Sequence, residues 1–153
     1  MQCPPGYIST DEGQTACNLC PAGYKCPFPD HLPVICDPGE FSFSGSVICT
    51  SCPGGYSCSS PGEVPSSCQI GEFSNLTHCV SCPLGFFCPD PTLPPYPCLD
   101  GLYSDVYGLT SCKICPVGYQ CIDPTRSPVP CSSGMFSLAG SSHCLVGTHY
   151  QIT

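Results

Sequence analysis

The chain has 153 residues, among them 18 Cys, 20 Pro and 16 Gly, and it sets three basic residues against eleven acidic ones for a formal net charge of −8. Cysteine at this density marks a disulfide scaffold, and with Leu, Ile, Val and Phe too thin for a conventional core, small units here need staples. A helix bundle, a doubly wound α/β enzyme and a coiled coil are excluded; with only Lys25, Lys113 and Arg126 to neutralise phosphate, so are nucleic-acid and anionic-membrane partners.

In chain order, Cys3-Pro-Pro-Gly-Tyr-Ile-Ser comes first, a copy of a half-motif CxxGx[FY]S whose aromatic stands one place early. Cys17-Asn-Leu-Cys20-Pro-Ala-Gly-Tyr-Lys-Cys26 follows, the first of four copies of CxxCPxG[YF]xC. The two half-motifs then alternate. Cys36-Asp-Pro-Gly-Glu-Phe-Ser leads to Cys49, Cys52 and Cys58, and Cys68-Gln-Ile-Gly-Glu-Phe-Ser to Cys79, Cys82 and Cys88. Cys98-Leu-Asp-Gly-Leu-Tyr-Ser leads to Cys112, Cys115 and Cys121, and Cys131-Ser-Ser-Gly-Met-Phe-Ser to Cys144. The opening cysteines Cys17, Cys49, Cys79, Cys112 and Cys144 are 32, 30, 33 and 32 residues apart. A fixed internal pattern at a fixed period is a tandem array, in which each repeat touches its neighbours. Repeats are assigned to 3–35, 36–67, 68–97 and 98–130, with a partial repeat and an atypical end over 131–153, where Gly147 stands in place of the second Cys of a CxxC.

Each recurring position has a physical use. Gly23, Gly39 and their equivalents suit turns that need positive φ. Pro21, Pro53, Pro83 and Pro116 fix φ just after a cysteine and remove a helix donor. The aromatics Tyr24, Phe41, Tyr56, Phe73, Phe86, Tyr103, Tyr119 and Phe136 are expected to stack on cystines as a thin spine. Strands should be two to four residues long, with Phe41-Ser42-Phe43 and Leu102-Tyr103-Ser104 the best candidates, and no helix should exceed one turn. The Ser- and Pro-rich stretches 59–67 and 89–97 read as extended connectors stapled within a repeat. The fold class is therefore small and disulfide-rich: an elongated tandem array of short cystine-stapled repeats with little regular secondary structure.

Two pairing phases are compatible with the motifs. A closed phase joins Cys3–Cys17, Cys36–Cys49, Cys68–Cys79, Cys98–Cys112 and Cys131–Cys144, with Cys20–Cys26, Cys52–Cys58, Cys82–Cys88 and Cys115–Cys121. A crossed phase links Cys17–Cys26 and Cys20–Cys36, and so on, and leaves Cys3 and Cys144 to pair outside. Spacing alone does not decide connectivity.

Little points to catalysis or cofactors. CxxC pairs suggest zinc, but each is followed by further cysteines in tight spacing, and the chain is acidic. A redox CxxC needs a βαβ context that is missing. His31, His78, His143 and His149 fall at unrelated points of the repeat, and Asp37, Glu40 and Asp100 would make at most a weak calcium site. No catalytic, cofactor or metal residue is assigned, and no enzyme is expected. Asn75-Leu76-Thr77 is an N-glycosylation sequon in the shortest of the long loops, which makes Asn75 the one candidate modification site.

The alternating motifs CxxCPxG[YF]xC and CxxGx[FY]S resemble the ephrin-receptor-like cysteine-rich repeats of extracellular multidomain proteins, and are similar in style to TNF-receptor and EGF-like modules. The resemblance spans Cys3 to Cys144. It implies a disulfide ladder used as a stalk, coat or binding ectodomain; the TNF-receptor module spaces its six cysteines differently, so its ligand-binding role does not carry over.

Disulfides on this scale need an oxidising compartment, so the expected location is extracellular or at the cell surface. With no signal segment at its start and no membrane-spanning stretch, the chain reads as a mature piece of a longer secreted or membrane-anchored precursor. The expected function is a structural segment of an extracellular fibre, stalk or surface coat, a rod whose partners are copies of itself or other extracellular proteins; the alternative is a receptor-type ectodomain that binds a protein ligand. Phe28, Phe43, Phe87, Leu93, Tyr96 and Tyr107, apolar and off the spine, are the residues such contacts would use.

Overall fold

A computed structural model describes residues 2–13 and 15–147; His149 and the last residues of the atypical end lie outside them. Among the described residues there is no helix, hence none long and apolar enough to cross a membrane. The chain is a small disulfide-rich tandem repeat, and its described residues form nine two-stranded sheets, each made by consecutive strands. The first four pairs are β1 (Tyr7–Ile8) with β2 (Asn18–Leu19), β3 (Tyr24–Lys25) with β4 (Val34–Ile35), β5 (Glu40–Phe41) with β6 (Thr50–Ser51) and β7 (Tyr56–Ser57) with β8 (Ser66–Ser67). Next come β9 (Glu72–Ser74) with β10 (Cys79–Ser81) and β11 (Phe86–Phe87) with β12 (Tyr96–Pro97). The last three are β13 (Leu102–Tyr103) with β14 (Lys113–Ile114), β15 (Tyr119–Gln120) with β16 (Val129–Pro130) and β17 (Met135–Phe136) with β18 (Leu145–Val146).

The element of construction is thus one hairpin, half the length of the period. Its opening cysteines, Cys3, Cys20, Cys36, Cys52, Cys68, Cys82, Cys98, Cys115 and Cys131, are 14 to 17 residues apart. Each begins a CxxG turn in which the amide after the glycine donates to the carbonyl three residues back, as Tyr7 to Pro4 at 3.1 Å and Leu102 to Leu99 at 2.9 Å. Glycine occupies the third place at positive φ, 85° at Gly6 and 84° at Gly101, as a type II turn requires. The turn glycine's carbonyl then accepts from the amide of the next opening cysteine, Cys20 to Gly6 at 2.8 Å and Cys131 to Gly118 at 2.9 Å, which closes the hairpin base. Gly147 takes that cysteine's place in the last hairpin, its amide 3.1 Å from the Gly134 carbonyl.

Strands of two residues cannot stand alone, so staples carry the fold. The cystines are Cys3–Cys17, Cys20–Cys26, Cys36–Cys49, Cys52–Cys58, Cys68–Cys79, Cys82–Cys88, Cys98–Cys112, Cys115–Cys121 and Cys131–Cys144, and no cysteine is free. This is the closed phase. Hairpins with a long staple, spanning 11 to 14 residues, alternate with hairpins whose staple spans 6. The stretches 59–67 and 89–97 are the loops and return strands of short-staple hairpins, and Pro97 and Pro130 sit in exposed return strands, where a missing amide donor costs no ladder bond.

The residues group into two compact units, Met1–Cys68 with Ser74–Cys79, and Gln69–Phe73 with Val80–Thr153. In the first, Ser9 and Ser42 donate their amides to the Pro29 and Pro61 carbonyls of the following hairpin, at 2.8 and 3.0 Å. In the second, Ser104 donates to Pro124 at 2.8 Å, and Gly85 and Gly118 donate to the Ser104 and Ser137 carbonyls at 2.9 and 3.3 Å. Cystines form the buried interior: Cys20, Cys82, Cys88 and Cys115 are fully buried, and among the described residues the buried apolar ones other than cysteine reduce to Ile8. The aromatic spine is correspondingly thinner than the motifs suggest. Tyr24, Phe73 and Phe136 are half-buried, Tyr7, Tyr56 and Tyr119 are exposed, and the ring contacts found, such as Phe41 with Phe43, lie within single hairpins. The strand at Phe41 ends there and runs back to Glu40, because Ser42 turns inward.

Candidate interaction surface and modification site

The position six residues after each opening cysteine decides what lies inside. In short-staple hairpins it is the second cysteine. In long-staple hairpins it is Ser9, Ser42, Ser74, Ser104 or Ser137. Among the described residues Ser42, Ser104 and Ser137 are the buried polar ones. The Ser42 and Ser137 hydroxyls donate to the Tyr24 and Tyr119 carbonyls of the preceding hairpin, at 2.7 and 2.6 Å, and Ser74 donates to Tyr56 in the same way. Ser104 instead donates within its own loop, to Val106 at 3.2 Å. A buried hydroxyl without a partner is costly; here each partner is a backbone carbonyl, and those of Ser42 and Ser137 tie neighbouring hairpins together. CxxGx[FY]S contained these serines, but a serine in a polar loop reads as surface until the hairpins are stacked.

The candidates for chemistry are dispersed. His31 lies beside Asp30 at 2.7 Å, His78 beside Thr77 at 3.0 Å and His143 beside Ser142 at 2.9 Å, all exposed. Every cysteine sulfur sits in a cystine, which offers neither a thiolate ligand nor a nucleophile. The Glu40 carboxylate is occupied locally, accepting from the Asp37 amide at 3.3 Å across the CxxG turn, as Glu72 does from Gln69 at 2.9 Å; Asp100 is exposed. Asp105 accepts from Lys113 at 3.0 Å and from Ser127 of the next hairpin at 2.9 Å, and these bonds hold its carboxyl below the ordinary value. Asp123 is likewise lowered, first by the Thr125 hydroxyl and amide.

Apolar surface is abundant but outside. Ile35, Ile48 and Val64 in the first unit, and Leu99, Ile114 and Leu138 in the second, are more than half exposed. Of the apolar residues placed off the spine, Phe28, Phe43 and Tyr107 are open to solvent, whereas Phe87 packs on Tyr96 with ring centroids 5.6 Å apart.

Asn75 stands on an exposed loop. Its Oδ1 accepts from the Thr77 amide at 3.2 Å, the Thr77 hydroxyl at 3.0 Å and the His78 amide at 2.7 Å. With Oδ1 so engaged, Nδ2 is the group this side chain leaves for other chemistry. Leu76, in the middle of the sequon, has φ 79°, in the loop place where the other long-staple hairpins have Gly13, Gly45, Gly108 and Gly140.

No protein-family model matches the chain, and no curated protein matches it. The nine cystines and tandem hairpins define a disulfide-stabilised cysteine-rich repeat on their own.

Proposed function

We propose that this chain is a structural segment of an extracellular fibre, stalk or surface coat, with no enzymatic role. The observation that carries the reading is the sameness of the neighbour contact: Ser9 with Pro29, Ser42 with Pro61 and Ser104 with Pro124 repeat one backbone bond. A contact that recurs with one register propagates an axis, as in other stacked repeats, so an elongated form is the expectation. Nine cystines suit an oxidising, extracellular setting, and the likeness to ephrin-receptor-like modules supports the same location. Exposed apolar side chains such as Phe28, Phe43 and Tyr107 give such a segment contacts to copies of itself or to other extracellular proteins. Small-angle scattering of the isolated segment tests the form. A radius of gyration well above the ~15 Å of a globule of this length fits a rod, and a value near it overturns the reading. Concentration-dependent association by light scattering tests assembly; a monodisperse species that captures one soluble protein at defined stoichiometry favours the receptor-type ectodomain instead.

A further inference from the structure

We propose that Asn75 is an N-glycosylation site and that the first N-acetylglucosamine of its glycan lies over an apolar groove beside the loop. The inference is independent of the fibre reading. Three observations carry it. The acceptor is presented: Asn75 is exposed, and its Oδ1 is held by Thr77 and His78, so Nδ2 is the free end of the amide.

The loop that carries it is also pinned. The Leu76 carbonyl accepts from the Cys58 amide at 3.2 Å and the Thr77 carbonyl from the Ser57 hydroxyl at 3.1 Å, both in the preceding hairpin. The Leu76 side chain sits over Gly39, whose missing Cβ would come 3.4 Å from that of Leu76. A glycan on this loop therefore leaves from a fixed point.

The sequon also borders a seat. Ile35, Pro38, Gly39, Pro61, Thr77 and His78 line a groove of about 340 Å³ whose surface is mostly apolar. Concave, mostly apolar surface with a few polar groups is what small ligands use. A β-linked N-acetylglucosamine has an apolar ring face and an acetyl methyl to lay against Ile35 and the two prolines. Its amide and hydroxyls meet the polar edge at Thr77, His78 and Asp37.

The modification step balances simply. Nδ2 of Asn75 bonds to C1 of a sugar on a lipid-linked pyrophosphoryl oligosaccharide, the C1–O bond to phosphate breaks, the lipid pyrophosphate leaves with the electron pair, and Nδ2 gives up one proton to the transferase. The sequon supplies the acceptor.

The test uses the chain secreted from a eukaryotic host. Amidase release in heavy-oxygen water should leave a labelled aspartate at 75, lost in Thr77→Val and kept in Thr77→Ser. An unmodified Asn75 overturns the site. With the glycan trimmed to a single residue, nuclear Overhauser contacts should join its acetyl methyl to Ile35, Pro38 or Pro61. Ile35→Ser should weaken them while leaving Asn75 modified. A modified Asn75 whose acetyl methyl shows no contact to these residues overturns the seat and leaves the site.

Discussion

The short-staple and long-staple hairpins share turn and base hydrogen bond, and differ at the sixth residue after the opening cysteine. In the short-staple hairpins a second cysteine there closes a loop of 6 and fills the interior with sulfur; Cys82 and Cys88 have no exposed surface. In the long-staple hairpins a serine takes that place and the cystine is less deeply set: Cys68–Cys79 and Cys98–Cys112 are half-buried at both ends, while Cys3, Cys36 and Cys144 are buried at one. The comparison separates two jobs that disulfides usually do together. One class supplies a core, and the other limits the unfolded chain while a hydroxyl-to-carbonyl bond joins neighbours.

Removing a staple should produce the largest effect. Loop entropy alone ranks the long staple higher, at ~3 kcal/mol for a separation of 14 against ~2 for 6. Burial reverses the order. Emptying the inner site should cost roughly 1–2 kcal/mol more per side chain, so C82A/C88A should lose ~4–6 kcal/mol and C98A/C112A ~3, read by denaturant unfolding. Equal losses would mean that the buried sulfurs contribute no packing. Mild reduction followed by thiol trapping should label Cys98 and Cys112 before Cys82 and Cys88.

Loss of an inner serine hydroxyl should come next in size. Ser42→Ala and Ser137→Ala strand the Tyr24 and Tyr119 carbonyls and should each cost ~1–2 kcal/mol. Ser104→Ala, which removes a bond within one loop, should cost less. A ranking with Ser104 first would count against the joining role.

Leu76 offers a smaller effect of opposite sign. Left-handed backbone strains a side-chain residue by ~1 kcal/mol, so Leu76→Gly should be neutral to stabilising by up to about that amount, less the packing lost over Gly39. The sequon survives the change. A melting temperature that falls by several degrees would show that the packing outweighs the strain.

Acid should act least. The Asp105 carboxyl is lowered by Lys113 and Ser127, so its contribution is present above the unfolded value near pH 4 and lost as pH falls through the lower folded value. Asp105→Asn should therefore lower stability slightly at neutral pH and leave it unchanged below the folded value, which flattens the acid limb.

The period, the turn glycines and the stapled connectors were all readable from spacing, because cysteines and glycines carry covalent and conformational demands that leave a pattern in one dimension. Cys3-Pro-Pro-Gly and Cys20-Pro-Ala-Gly show the shorter unit as well, once the alternating staple is ignored. What spacing hid was depth. Tyr56 and Tyr119 recur as a core residue would, yet stay exposed, while Ser42 and Ser137 look like surface and are buried. A two-residue strand has too little length to announce its inner face by alternation, so inside and outside appear only when hairpins stack. The Asn75 sequon was plain, but its groove joins residues from 35 to 78, which no local motif spells out.

Every cystine joins a cysteine to the very next one in the chain, from Cys3–Cys17 to Cys131–Cys144. A polypeptide entering an oxidising compartment from its N-terminus therefore never has to hold a thiol in reserve for a distant partner. At most one unpaired sulfur trails the growing end. Contacts closed over so short a span form quickly, and an isomerase that undoes non-native bridges has little to correct. Pulse-labelled chains arrested during translocation should carry staples in strict order of emergence, each intact before the following hairpin is made. Length then adds nothing to the difficulty of maturation: a chain with many more such hairpins would oxidise by the same local rule, one closure at a time.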